Sequence, residues 1–174
     1  MNLKKILLEN YSTAADRKEG AAFIDQYPKY FPELLKMSCV SIDKRENILA
    51  AWILEKYSLN KLECLTPDFS FYLKGVYQQT NDSKRRPMAK LLYHYCNHKN
   101  RRKQLTQKQI DLIIEICFHY MLTSLKVAPI AFAMKTLHFF RNNKPWISEE
   151  IEAYIEKKLH NSSTGFQSVV RQIS

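Results

Sequence analysis

Ala50-Ala51-Trp52-Ile53-Leu54, Met88-Ala89-Lys90-Leu91-Leu92 and Ile130-Ala131-Phe132-Ala133-Met134 read as three copies of one helical stretch, their register alanines Ala51, Ala89 and Ala131 standing 38 and 42 residues apart. A small residue at the centre of each copy lets neighbouring helices approach closely. The larger residues beside it, Trp52 and Phe132 with a following Leu or Met, are expected to fill the space between layers. Tyr57, Tyr95 and Leu137 each follow the register alanine by six residues and extend the correspondence. Pro87 and Pro129 stand just ahead of the second and third copies, the place where proline opens a helix without losing a hydrogen bond.

A second pattern is interleaved with the first. Thr66-Pro67-Asp68, Thr106-Gln107-Lys108 and Ser148-Glu149-Glu150 each start with a hydroxyl able to cap a helix, 40 and 42 residues apart, and lead into Leu73, Ile113 and Ile155 at one shared offset. Two alternating helices with a period near forty residues are the mark of a helical solenoid. The expected fold is all-α, a right-handed α-α superhelix in a single domain. Residues 1–42 supply N-terminal capping helices, 43–160 three repeat hairpins and 161–174 a C-terminal capping helix.

Local signals fill in the elements. Ser12 or Thr13 is a candidate cap for a helix carrying Ala21, Ala22, Phe23 and Ile24, which Tyr27-Pro28 ends. A second helix runs through Leu34, Leu35 and Met37. The first long helix is expected to start after Asp43 and to bury Ile48, Ala51, Trp52 and Leu54 on one stripe. The next is expected over Pro87 to His98, followed by a polar loop from Asn100 to Gln104, and the last pair over Pro129 to Phe140 and Ser148 to Leu159. A short helix from Phe166 to Ile173 closes the array.

Composition agrees: 45% of the 174 residues are hydrophobic, enough for a core, and 3 glycines leave little room for tight β-turns. The run Ile6-Leu7-Leu8 after Lys4 and Lys5 is broken by Glu9 and is too short for an export signal or a membrane span, so a cytoplasmic protein that does not enter the membrane is expected. Cys39, Cys64, Cys96 and Cys117 contain no CxxC pair and read as reduced core residues.

The formal net charge is +10, and between Ser83 and Ile110 there is no acidic residue. That stretch holds Lys84, Arg85, Arg86, Lys90, Lys99, Arg101, Arg102, Lys103 and Lys108. The cluster Lys84, Arg85 and Arg86 ahead of a helix opened by Pro87 would add to the positive end of the helix dipole, a place that attracts anions. The candidate anion- or partner-binding residues are therefore Lys84, Arg85, Arg86, Lys90, Arg101, Arg102 and Lys103. An acidic protein segment or another anionic surface is the expected partner, and nucleic acid the alternative.

His94 and His98 lie four apart on one helical face, with Cys96, Cys117 and His119 nearby in sequence. An antiparallel hairpin would leave Cys117 about 12 Å along the axis from the position opposite Cys96, so neither a metal nor another cofactor is expected. No glycine-rich phosphate loop, GxSxG elbow or HExxH motif occurs. Carboxylates such as Glu55, Asp111 and Glu115 read as salt-bridge partners. No catalytic residue is assigned, and a non-enzymatic binding scaffold is expected.

From Asp43 onward the layout resembles the HEAT and armadillo class of α-α superhelices. Arg86-Pro87-Met88-Ala89-Lys90, the stretch from Leu105-Thr106 to Ile116-Cys117-Phe118, and Lys126-Val127-Ala128 leading to Met134-Lys135-Thr136-Leu137 resemble a family of small bacterial HEAT-like proteins, some of which carry the name adenylosuccinate lyase. The lyases of that name use a Gly-Ser-rich loop, which Ser162-Ser163-Thr164-Gly165 does not match, so lyase activity is not expected. The basic character is also similar to that of HEAT-like DNA glycosylases, which hold damaged DNA on a concave face with Trp, Asp and Arg near the lesion. Trp52, Arg45 and Asp111 are residues of those types here, and their spacing carries no role across.

Overall fold

The computed structural model describes residues 3–10, 16–142, 144–159 and 163–173. Among the described residues there are eleven α-helices, two 3₁₀ turns and no strand, and no helix is long and apolar enough to cross a membrane. The chain divides into two compact units, residues 1–94 and 95–174. The candidate caps Ser12 and Thr13 lie outside the described residues.

In the first unit the helices are α1 (Leu3–Asn10), α2 (Arg17–Gln26), α3 (Phe31–Cys39), α4 (Arg45–Ser58) and α5 (Phe69–Tyr77), followed by most of α6 (Asp82–Asn97). Pro28 opens a 3₁₀ turn after α2, and Pro32 occupies the first turn of α3, where no intrahelical donor is lost. α4 is the centre of the unit and packs on α1, α2 and α3. Leu49, Ala50, Ala51, Ile53 and Leu54 are all buried, so α4 is covered around most of its circumference. The single stripe expected from its sequence is corrected accordingly: Ile48 and Trp52 are only half-buried.

Two glycines make these close approaches workable. A Cβ at Gly20 of α2 would lie 2.6 Å from Cδ1 of Ile53 on α4. At Gly75 of α5 it would run into the side chain of Cys39 and lie 2.9 Å from that residue's Cα. The second obstruction is backbone and cannot rotate away.

α6 departs from expectation in an instructive way. It starts at Asp82 rather than at Pro87, because Asn81 caps it: Asn81 Oδ1 accepts the Ser83 amide at 2.8 Å, and its carbonyl accepts the amides of Lys84 and Arg85 at 2.9 Å. Pro87 is thereby inside the helix, where its missing N–H leaves the carbonyl four residues earlier, that of Ser83, without its helical donor. The indole of Trp52 supplies one, Nε1 donating to Ser83 O at 2.7 Å. Tyr72 of α5 reaches the same helix, its hydroxyl donating to Met88 O at 2.6 Å.

The ends of α3 and α5 meet beside this helix. The buried Gln79 side chain donates to Gly75 O at 2.6 Å and Cys39 O at 3.0 Å. Lys84 Nζ donates to Val40 O and, at 3.4 Å, to Ile42 O. Arg85 Nε donates to Gln79 O at 2.7 Å. The terminal carbonyls of α3 and α5, which their own helices leave unpaired, are satisfied by side chains from the start of α6 and the loop before it.

The second unit contains α7 (Lys99–Lys103), α8 (Gln107–Thr123), α9 (Val127–Leu137), α10 (Trp146–Leu159) and α11 (Thr164–Ile173). α8 packs on α9, α9 on α11, and α10 on α11. Thr106 caps α8 as expected, in a reciprocal box with Gln109. Ile113, Ile116, Cys117, Tyr120 and Met121 then form the buried stripe of a 3.6-residue period. Tyr154 ties α10 to α8 by donating to Met121 O at 2.7 Å.

The other two expected caps are corrected. Thr66 closes the 3₁₀ turn Leu62–Leu65, and α5 begins only at Phe69. Ser148 is the third residue of α10, its amide already bonded to Pro145 O at 3.0 Å. Asn100 to Gln104 is not a loop: residues 99–103 form α7, held by Arg102 Nη1 donating to Cys96 O at 2.6 Å, a cation set on the terminal carbonyls of α6. Pro129 lies in the first turn of α9, and there the expectation for proline stands. The register alanines Ala51, Ala89 and Ala131 are all buried.

Two predictions follow from the packing. Gly75→Ala should lower stability by about 1–3 kcal/mol in urea denaturation, and Gly20→Ala by less, since Ile53 can change rotamer; equal losses would contradict the geometry. Trp52→Phe should destabilise by about 1 kcal/mol, and by less when Pro87→Ala has restored the helical donor to Ser83 O. A double-mutant cycle without that coupling would show that the indole does not replace the missing amide.

Candidate functional site

The seven cations singled out from the sequence have different fates. Lys84 is fully buried and Arg85 is 3% exposed. Both are bonded to internal carbonyls as described above, and Arg85 also lies 3.8 Å from Asp82. Burial draws the Lys84 ammonium below the ordinary lysine range, opposed by the charge of Asp43. These two therefore belong to the interior of the first unit and present nothing to a partner.

Arg86 and Lys90, one turn apart on α6, instead face an open cleft of about 390 Å³. The other walls come from Arg17 and Lys18 at the start of α2, from Trp52, Glu55 and Lys56 of α4 and from Leu59 just after it. These last four residues are spaced i, i+3, i+4 and i+7, so one helical face supplies them all. Five cations thus surround one carboxylate, and Lys90 already answers it with Nζ 2.6 Å from Glu55 Oε1.

The geometry of Arg17 stands apart. Its guanidinium carbon lies 3.6 Å from the centre of the Trp52 ring, the stacked form of a cation–π contact. Its Nε is shielded from solvent and has no hydrogen-bond partner among the described residues. Burial lowers its pKa, Arg86 lowers it further, and Glu55 partly offsets both. Trp52 is in turn fixed by the Ser83 carbonyl, so the order runs from Pro87 through Ser83 and Trp52 to Arg17.

A second groove continues from this cleft between α2 and α4. It is lined by Lys18, Ala21, Ala22, Asp25, Lys56, Tyr57, Asn60 and Lys61, and shares Lys18 and Lys56 with the first. Its own cation Lys61 is paired with Asp25. His94, beyond Lys90 on α6, has a pKa lowered by burial and by Lys90, with Glu55 acting against them, and so stays neutral at pH 7.

The remaining candidates lie in the second unit. Arg101 stands over the Tyr95 ring at 5.9 Å, Arg102 over Phe139 at 4.9 Å besides its bond to Cys96 O, and Lys103 is exposed. Asp111 is exposed and takes Lys144 at 2.6 Å. A smaller hollow of about 200 Å³ between α9 and α10 is lined by Met134, His138, Arg141, Ser148, Ile151, Glu152 and Ile155. Among the described residues no group of three or more His, Cys, Asp or Glu is placed to hold a metal. The cysteines are free; burial pushes the Cys39 and Cys96 thiols up to about 12 and that of Cys117 well above its usual value, which leaves them without thiolate character.

Arg17, Lys18 and Lys56 were not among the sequence candidates. The sequence does carry a signal for part of the site, the helical spacing of Trp52, Glu55, Lys56 and Leu59, but Trp52 reads there as interlayer packing. Comparison with known proteins returns no matching family model, no similar curated protein and no similar solved structure. The side chains alone carry the functional argument.

The division between internal and outward cations is measurable. Lys84→Ala and Arg85→Ala should each lower unfolding free energy by about 2–4 kcal/mol, since they strand buried carbonyls and open space. Arg86→Gln and Lys103→Gln should leave the urea midpoint unchanged. A Lys84→Ala variant as stable as the parent would refute the internal assignment.

Proposed function

We propose that this chain is a non-enzymatic binding module for an anionic partner, built as a right-handed α-α superhelix of HEAT-like hairpins, with the cleft between α2, α4 and α6 as its contact surface. The observation that carries the reading is the convergence of Arg17, Lys18, Lys56, Arg86 and Lys90 on one open cleft whose single carboxylate is already paired. Such a cluster raises the potential over its walls and draws in polyanions. The interleaved repeat in the sequence supports the superhelix.

Between an acidic protein segment and nucleic acid, the lining favours the second. A peptide groove would offer apolar pockets for side chains, whereas this cleft offers lysines, two guanidinium groups and an aromatic ring, the combination that serves phosphate backbones and bases. The glycosylase-like roles for Arg45 and Asp111 gain no support, since neither lines the cleft. No catalytic step is assigned.

Binding of a single-stranded oligonucleotide and of a polyglutamate peptide across a salt series tests this. The oligonucleotide should bind more tightly, and Lys18→Gln with Lys56→Gln should reduce the slope of log affinity against log salt by about 0.7 for each lost phosphate contact. Arg101→Gln with Lys103→Gln should change it less. Binding insensitive to the cleft variants, or absent at low salt, would overturn the assignment.

A further inference from the structure

We infer that the part of the cleft lined by Arg17 and Arg86 is a subsite for a phosphate monoester, the doubly charged terminal phosphate of a nucleotide or of a phosphorylated strand end. The inference rests on the binding reading above and specifies what that surface grips first.

The argument starts from charge. Arg17 and Arg86 line the same cleft, and neither has a carboxylate partner among the described residues, because Glu55 is held by Lys90. Two like charges in a partly shielded site repel, and Arg86 does depress the ionisation of Arg17. A carboxylate or a phosphodiester brings one negative charge; a monoester brings nearly two at neutral pH and neutralises the pair.

Geometry supplies the second argument. A guanidinium presents its N–H groups as a planar fork that matches two oxygens of a phosphate. Stacking on Trp52 at 3.6 Å holds the fork of Arg17 in one plane before any ligand arrives, and Trp52 is itself held by Ser83 O. The entropy of ordering a long side chain is then already lost in the free protein, which favours binding. The third argument is space. About 390 Å³ is within the range of small-ligand sites, and the adjoining groove past Lys18, Lys56, Ala21, Ala22 and Tyr57 gives the rest of a nucleotide or strand a course to follow.

The test uses the full chain with Trp146→Phe, so that Trp52 is the one indole emitter. Titrants at constant ionic strength are inorganic phosphate, a nucleoside monophosphate, one oligonucleotide with either a 5′-phosphate or a 5′-hydroxyl, and a phosphoserine peptide. The 5′-phosphorylated strand is expected to shift Trp52 emission and to bind about tenfold tighter than its 5′-hydroxyl counterpart, the value of one good charged hydrogen-bond pair. Arg86→Gln and the charge-conserving Arg17→Lys, both checked for unchanged helicity, should abolish that preference, and Lys103→Gln should keep it. Equal affinity for the two strands, with both weakened by the cleft variants, would sink the monoester subsite while the binding surface survives. Binding of neither strand and no effect of any cleft variant would remove both. A phosphate-dependent gain confined to the peptide would overturn the strand-end assignment in favour of a phosphorylated protein.

Discussion

A missing hydrogen shapes the first unit. Pro87 sits inside α6 without an N–H to give, so the Ser83 carbonyl needs a donor from elsewhere. Trp52 provides it, and the consequence runs in both directions. Toward the core, the indole ties α4, the helix on which α1, α2 and α3 pack, to α6. Toward solvent, the same bond fixes the plane of a ring that Arg17 then covers. A proline that weakens its own helix thus holds together the wall of the cleft.

The same economy governs the cations at the start of α6. Lys84 and Arg85 point inward because the ends of α3 and α5 converge there, each with carbonyls that its helix leaves unpaired. An ammonium and a guanidinium with several N–H donors are suited to collect them, and the desolvation that disfavours the Lys84 charge is set against carbonyl bonds to Val40 and Ile42. Arg86, the next residue, falls on the other side of the helix and meets the cleft. Three consecutive basic residues therefore serve two purposes, decided by about 100° of rotation per residue.

Which parts could be read from the sequence follows from how local their causes are. The all-α class, the buried alanines and the Thr106 cap depend on short spacings within one helix, and they are where the sequence places them. The caps at Thr66 and Ser148 depend on which of several nearby turns wins, and Pro145 and Leu62–Leu65 took that place. Pro87 reads as a helix start on its own, because nothing local announces that an indole 35 residues earlier will make its interior position acceptable. The cleft was half legible: Arg86 and Lys90 stand out in a stretch free of acids, whereas Arg17, Lys18 and Lys56 are scattered through mixed charge and converge only through the packing of α2 on α4.

That convergence has a thermodynamic direction. Holding Arg17 and Arg86 near one another opposes folding, an effect that Glu55 offsets only in part. The opposition is modest because Arg86 is exposed, so the bond from Trp52 to Ser83 and the covered sides of α4 can carry it. A site under such repulsion is relieved by an anion, and whatever binds the folded cleft and not the unfolded chain must stabilise the fold in proportion to its affinity and concentration. Stability and binding are then two readings of one balance, and the packing around Trp52 enters both.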